Sequence, residues 1–267
     1  MSKKTNQNKT KIIISIIQLI FIIILIYSLI NIFVWYKNNK ANKEVINELS
    51  QTVEIVEENK EDNKKYKINF EELKNKNSDT IAWIKVENTS IEFPVVKTND
   101  NSYYLTHNFN KQNNSAGWIF ADYKNRFDGK DKNIVIYGHN MLDDSMFGTL
   151  KNVIKKEWYN NENNRYITLI TENEYSIYEV FSVYQIEKED YYIKTDFNSD
   201  KEFEKFLQEV KKRSIKDFNI EISKENNILT LSTCANNSKY RVVLPNPVER
   251  LNDNKTNNFW KIKYNIN

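Results

Sequence analysis

The chain contains a single cysteine, Cys234, and two histidines, His107 and His139. A thiol becomes a strong nucleophile when it ionises or has a base within reach. The tetrahedral intermediate it forms then needs a cation or an N–H donor for its oxygen. Cys234 closes the apolar run Leu229–Thr233, and Arg241 opens the next run after the polar stretch Ala235–Tyr240. His139 follows a third apolar run, Ile134–Tyr137. If these runs are neighbouring strands, a thiol, an imidazole and a guanidinium meet at one end of a sheet, which is the equipment for nucleophilic acyl transfer.

The same residues have blander readings. A lone cysteine can be a small buried apolar residue, a histidine at a strand end can be structural, and Arg241 can be a surface charge. Other chemistries are excluded more firmly. One Cys and two His leave a zinc site short of its usual ligands unless carboxylates complete it, and no metal-type spacing is present, so no metal and no cofactor is expected. No glycine-rich phosphate loop and no Gly-x-Ser-x-Gly elbow is present. With one cysteine there is no intramolecular disulfide, so an exported domain would depend on its core alone and its free thiol would be exposed to oxidation.

From Thr80 onward the pattern is of short β runs. Ile81–Val86 and Ile91–Val96 flank the turn signal Asn88-Thr89; Gly117–Phe120 and Asn133–Tyr137 follow. Tyr166–Ile170 and Tyr175–Ile186 read as a hairpin across Glu172–Glu174. Ile228–Thr233 and Tyr240–Leu244 complete the set, with Pro245 and Pro247 expected to end the last strand. Helices are expected over Met146–Trp158, over Ser199–Ser214 and in a short piece from Phe70. In Ser199–Ser214, Phe203, Phe206, Leu207 and Val210 share one face. The expected fold is mainly β: a mostly antiparallel barrel or sandwich of about eight strands with a few helices, and no internal repeat.

The N-terminal part has a different character. Residues 12–36 carry no charge, and only Ser15, Gln18, Ser28 and Asn31 interrupt the apolar run before Trp35-Tyr36. Some ~25 residues at ~1.5 Å rise give ~37 Å of helix, enough to cross a ~30 Å hydrocarbon layer. Lys3, Lys4, Lys9 and Lys11 precede it without an acidic residue, which favours an internal N-terminus. No small-residue cleavage site follows, so an uncleaved anchor is expected rather than a signal peptide. This divides the chain into a cytoplasmic tail (1–11), a transmembrane anchor (12–36), a charged helical stalk (37–69) and an extracellular catalytic domain (70–267). Across the chain, 39 basic and 36 acidic residues are interspersed, and the net charge of +3 offers no field for nucleic acid.

Thr230-Leu231-Ser232-Thr233-Cys234 matches the Thr-Leu-x-Thr-Cys signature of sortases, and Arg241 occupies the position of their essential arginine. Tyr137-Gly138-His139-Asn140-Met141 looks like the segment carrying their catalytic histidine. The resemblance runs from about Phe70 to Leu244. The helix Ser199–Ser214 ahead of the cysteine strand, and the segment Tyr191–Phe197, resemble class B members. The resemblance implies a closed eight-stranded sortase-type β barrel and a catalytic set of Cys234, His139 and Arg241. Tyr192, Ile193 and Ser232 would line the substrate groove, with Tyr191 as a competing ring; His107 matches no catalytic position. The implied partners are exported proteins with a C-terminal sorting signal, the amine of a peptidoglycan precursor, and the cytoplasmic membrane. The implied activity is cysteine transpeptidation at a threonine carbonyl. Two alternatives use the same residues differently: a membrane-anchored cysteine hydrolase, and an inert surface-binding module with Cys234 in its core.

Overall fold

Residue 2 begins a helix, α1 (Ser2–Ser50), in which every apolar side chain from Ile12 to Tyr36 is exposed to solvent. The helix is long and apolar enough to cross a bilayer. The computed structural model describes the backbone of residues 2–57, 64–187, 189–236 and 239–252, and the side chains of 11–53, 66–187, 189–233 and 242–245. The chain divides into two units, residues 1–44 and 45–267.

In the second unit, Val45 and Leu49 of α1 are buried in the main core, together with Phe70 and Leu73 of α2 (Phe70–Lys76). Between these helices lies a hairpin, β1 (Val53–Glu57) and β2 (Lys64–Ile68). The helix therefore stops at Ser50, and the charge-rich stretch expected to be a helical stalk (37–69) contains paired strands. Their pairing runs Val53↔Ile68 to Glu57↔Lys64, matching acidic against basic residues at Glu54↔Lys67 and Glu57↔Lys64. Residues 58–63 of the charge run lie outside the described residues.

The remaining strands are β3 (Thr80–Val86), β4 (Glu92–Val96), β5 (Phe120–Ala121) and β6 (Asn133–Tyr137), then α3 (Lys156–Tyr159), β7 (Tyr166–Ile170) and β8 (Glu174–Glu187). They are followed by α4 (Asp200–Lys212), β9 (Ile228–Asn236) and β10 (Lys239–Asn252). β3 to β10 close into an eight-stranded barrel in the order β10-β8-β7-β3-β4-β5-β6-β9, which bears out the expected closed sortase-type barrel. Two pairs are parallel, β4 with β5 and β6 with β9; the others are antiparallel. Trp83, Trp118, Tyr104, Phe109 and Phe147 are among the large side chains that fill the core.

Three local expectations need correction. No continuous helix covers 146–158: Met146 takes a left-handed backbone (φ 51°), and only a 3₁₀ turn (Gly148–Asn152) and the single-turn α3 follow. An L-residue in that region breaks a right-handed helix. Gly117–Ile119 is not strand, because Gly117 (φ 58°) and Trp118 bond back to Asn114 and Tyr104; only Phe120–Ala121 pairs. Pro245 and Pro247 do not end the last strand. β10 continues to Asn252 beside β8, with register shifts at Leu244/Pro245 and Pro247/Glu249. Such irregularities are where a strand tolerates residues without an N–H.

The amphipathic helix appears as expected. Phe203, Phe206, Leu207 and Val210 of α4 are buried against Phe181, Tyr184, Ile228 and Val242 of the barrel wall, and burying each such side chain contributes roughly 1.5–3 kcal/mol. Ser199 caps the helix, its hydroxyl accepting from Glu202 N at 3.2 Å, while the Glu202 carboxylate accepts from Asn198 N at 2.7 Å. Ser199→Ala is expected to destabilise the protein by about 1 kcal/mol, lowering the melting midpoint by ~2–4 °C in a chain of this size. A thermal unfolding scan checks this, and an unchanged midpoint would show that the cap is immaterial.

Candidate active site

Backbone register alone brings the three chemically interesting positions together. β6 and β9 run parallel from Asn133↔Ile228 to Tyr137↔Ser232, and Gly138 N donates to Ser232 O at 3.3 Å, carrying the ladder past the strand end. His139 therefore follows beside the segment that holds Cys234. On the other side β10 pairs antiparallel, Tyr240 opposite Cys234 and Arg241 opposite Thr233, with a bulge between Lys239 and Tyr240. Cys234 thus lies on a strand flanked by the strand leading to His139 and the strand bearing Arg241. The side chains of Cys234 and Arg241 lie outside the described residues.

The described side chains around this point line a groove of about 750 Å³ that includes Asn101, Leu105, Tyr137, His139, Tyr192, Ile193, Ser232 and Thr233. His139 is partly exposed to it, and its Nε2 lies 2.7 Å from the carbonyl oxygen of Leu105. A carbonyl only accepts, so Nε2 carries a proton, and Nδ1 is the nitrogen able to take or give one.

That carbonyl belongs to the 3₁₀ turn Tyr103–Leu105. The Asp100 carboxylate secures the turn, accepting from Ser102 Oγ (2.7 Å), Ser102 N (2.6 Å) and Tyr103 N (2.8 Å). These bonds, the Ser102 hydroxyl foremost, hold Asp100 below the usual carboxylate range. His107 supports the same turn from behind: its ring stacks on Tyr103 with centroids 4.1 Å apart, and its Nδ1 lies 2.8 Å from Tyr103 O. It is a structural histidine. Gly117 lies against the turn as well. A Cβ there would come within 2.4 Å of Tyr104 O, 2.9 Å of Leu105 O and 3.1 Å of His139 Cδ2.

On the opposite wall, the hydroxyl of Tyr192 and Ser232 Oγ are 2.9 Å apart, which joins two of the expected groove residues directly. Ile193 also faces the groove. Tyr191 is engaged elsewhere: its hydroxyl donates to the Tyr184 hydroxyl at 2.8 Å, and the Arg213 guanidinium sits 4.5 Å over its ring. Of the two candidate rings, Tyr192 is the one in the groove. The segment is held by Asn133 at the start of β6, whose Nδ2 donates to the carbonyls of Tyr192 (3.2 Å) and Lys194 (2.9 Å). Asn133 Oδ1 in turn accepts from Thr230 Oγ1 at 2.7 Å.

Sequence reasoning did not single out Asn101, Leu105 or Asn133, and it took Thr233 only as part of the cysteine signature. Asn133 carried one faint signal, an amide at the head of an otherwise apolar strand. Thr233 is 3% exposed, lines the groove, and its hydroxyl has no hydrogen-bond partner among the described residues. A buried hydroxyl in that state is costly unless something in the groove satisfies it.

The model of the Sortase domain matches residues 84–245. Sortase B of Listeria monocytogenes is 38% identical over 171 residues, covering 63% of this chain and 68% of that protein. Among solved structures, sortase B of Clostridium perfringens is 40% identical with a TM-score of 0.64, over 67% of this chain and all of that one. The structure described as a Staphylococcus aureus sortase B–substrate complex is 31% identical with a TM-score of 0.64, over 67% of this chain and 84% of that one.

Proposed function

Because this chain belongs to the sortase family and is a cysteine transpeptidase of its class B type, we propose that Cys234, His139 and Arg241 carry its reaction. The substrate is an exported protein with a C-terminal sorting signal. The Cys234 thiol gives its proton to His139 as its sulfur attacks the carbonyl carbon of a threonine in that signal, and Arg241 stabilises the oxygen as it gains charge. The C–N bond then breaks. The leaving amine takes a proton from His139, and the acyl group remains on sulfur as a thioester. An amine of the cell-wall precursor attacks the thioester and gives a proton to His139; the sulfur leaves and takes that proton from His139, which restores the thiol.

The observation that carries this reading is the register of β6, β9 and β10, which gathers the three residues at one barrel end beside the groove. Tyr192, Ile193 and Ser232 form the wall against which the peptide lies. The incoming amine enters by the same groove, since it must reach the same thioester carbon. The apolar stretch 12–36 anchors the enzyme, with residues 1–11 inside and the barrel outside, where both the emerging substrate and a lipid-linked amine are found.

The test uses intact-mass spectrometry of the full-length chain in detergent, incubated with threonine-containing sorting peptides. A mass increase on Cys234 is expected, lost in Cys234→Ala and discharged faster by added amine. Peptide that is only hydrolysed, whatever amine is present, would make the protein a hydrolase. No adduct, together with a thiol that resists alkylation in the folded protein, would make it a binding module.

A further inference from the structure

Asp122 directly follows β5 and is 2% exposed, yet it belongs to no ion pair among the described residues. A buried carboxylate is costly unless its oxygens are well satisfied. Here Oδ2 accepts from Asn101 Nδ2 and from the Tyr137 hydroxyl, both at 2.8 Å, and Oδ1 accepts from Lys124 N at 2.9 Å. Asn101 and Tyr137 both line the groove that contains His139. The other end of the Asn101 amide is also occupied, its Oδ1 accepting from Tyr123 N at 2.9 Å.

These contacts settle what Asn101 can offer. Its oxygen accepts from a backbone N–H and one hydrogen on its nitrogen goes to the carboxylate, which fixes the orientation of the amide and leaves its second Nδ2 hydrogen as a donor available to the groove. Such a donor recognises a carbonyl oxygen, and it is held by a charge-assisted bond that is shorter and stronger than a neutral one. The same carboxylate keeps the Tyr137 phenol protonated, with burial as the larger cause and Asp122 the next. An Asn in place of Asp122 would fit the space but turn an NH2 donor against either the Asn101 and Tyr137 donors or the Lys124 N–H.

We propose that Asp122 is a positioning residue: from beneath the groove it locks the Asn101 amide as an N–H donor for a carbonyl of the bound peptide and aims the Tyr137 hydroxyl beside it. This rests on the acyl-transfer reading for its kinetic consequence, but the contact itself does not.

Two measurements on the full-length chain in detergent test it separately. In ¹⁵N–¹H spectra the Asn101 side-chain amide, identified by its loss in Asn101→Ala, is expected to shift clearly in Asp122→Asn. An unmoved signal overturns the contact, whether or not any peptide is turned over. With a sorting peptide and amine, Asp122→Asn is expected to lower kcat by about 10- to 100-fold, the scale of a ~1 Å misplacement, with KM changed less than about threefold. On the Asn101→Ala, Tyr137→Phe background the same substitution should cost less than about threefold, since residues acting through one another are not additive. A full, additive loss on that background would mean that Asp122 serves the fold alone. Full activity of Asp122→Asn would remove it from the mechanism. Absence of turnover in the unsubstituted protein refutes the acyl-transfer reading and leaves the amide signal to decide on Asp122.

Discussion

His139→Ala is expected to lower kcat/KM for transpeptidation by about 10³-fold, within the 10²–10⁴ range of general acid–base catalysis, while the melting midpoint stays nearly unchanged. The reason lies in the two ring nitrogens. Nε2–H is committed to Leu105 O at 2.7 Å, so the ring is held at one end and presents Nδ1 as its exchangeable site. In the proposed mechanism both half-reactions use that nitrogen: the leaving amine is protonated and the incoming amine deprotonated. Rapid-quench measurement should therefore show acylation and thioester discharge slowed together. The ring is only partly buried, so its removal opens little core volume. Activity within about fivefold of the unsubstituted protein would exclude His139 as the proton carrier. Slowing confined to one half-reaction would leave the other to a different group.

Gly117→Ala is expected to reduce kcat/KM by about 10²-fold, through displacement of the Leu105 carbonyl and with it the His139 ring. The atoms that a Cβ would meet at 2.4 and 2.9 Å are backbone oxygens of Tyr104 and Leu105, which cannot swing aside as a flexible side chain would. Gly117 also has φ 58°, where an L-residue adds a conformational cost of roughly 1–2 kcal/mol. Gly129 separates the two effects. It too has positive φ (80°), but nothing lies within 4 Å of the position its Cβ would take. Gly129→Ala should lower the melting midpoint by a similar conformational amount and leave kcat/KM within about twofold. Steady-state kinetics and melting curves on both variants decide the matter. If Gly117→Ala retains activity while losing stability, the turn does not position His139.

Much of this architecture is legible along the chain because the physics involved is local. The apolar stretch 12–36 announces a membrane-length helix through length and absence of charge. The four buried positions of α4 recur at helical spacing, and Ser199 with Glu202 marks its start. Strands β3, β4, β6, β7 and β8 begin and end within about one residue of where apolar runs and turn residues place them. Where a local pattern had two outcomes, neighbours chose. Residues 146–158 contain good helix formers, yet the chain turns sharply at Met146 and Phe147 N bonds back to His139 O at 2.9 Å. Pro245 and Pro247 were stop signals in isolation, but β8 is long enough to pair β10 past them through two register shifts.

The candidate site divides along the same line. By itself the sequence determined which reactive groups exist, a lone thiol in Thr-Leu-Ser-Thr-Cys, a histidine and an arginine after apolar runs, and that an apolar stretch of membrane-spanning length precedes them, since residue type and short spacing are local properties. Only the tertiary structure decided which groups serve them. The Leu105 carbonyl has no side-chain identity to read, and the Asp122–Asn101–Tyr137 cluster joins a residue of the loop after β4 to the adjacent ends of β5 and β6. Tyr192 was separated from Tyr191 only when Ser232 and Tyr184 each claimed one hydroxyl. Hydrogen bonds are satisfied by whatever group is near in space, and nearness in space is set by strand register.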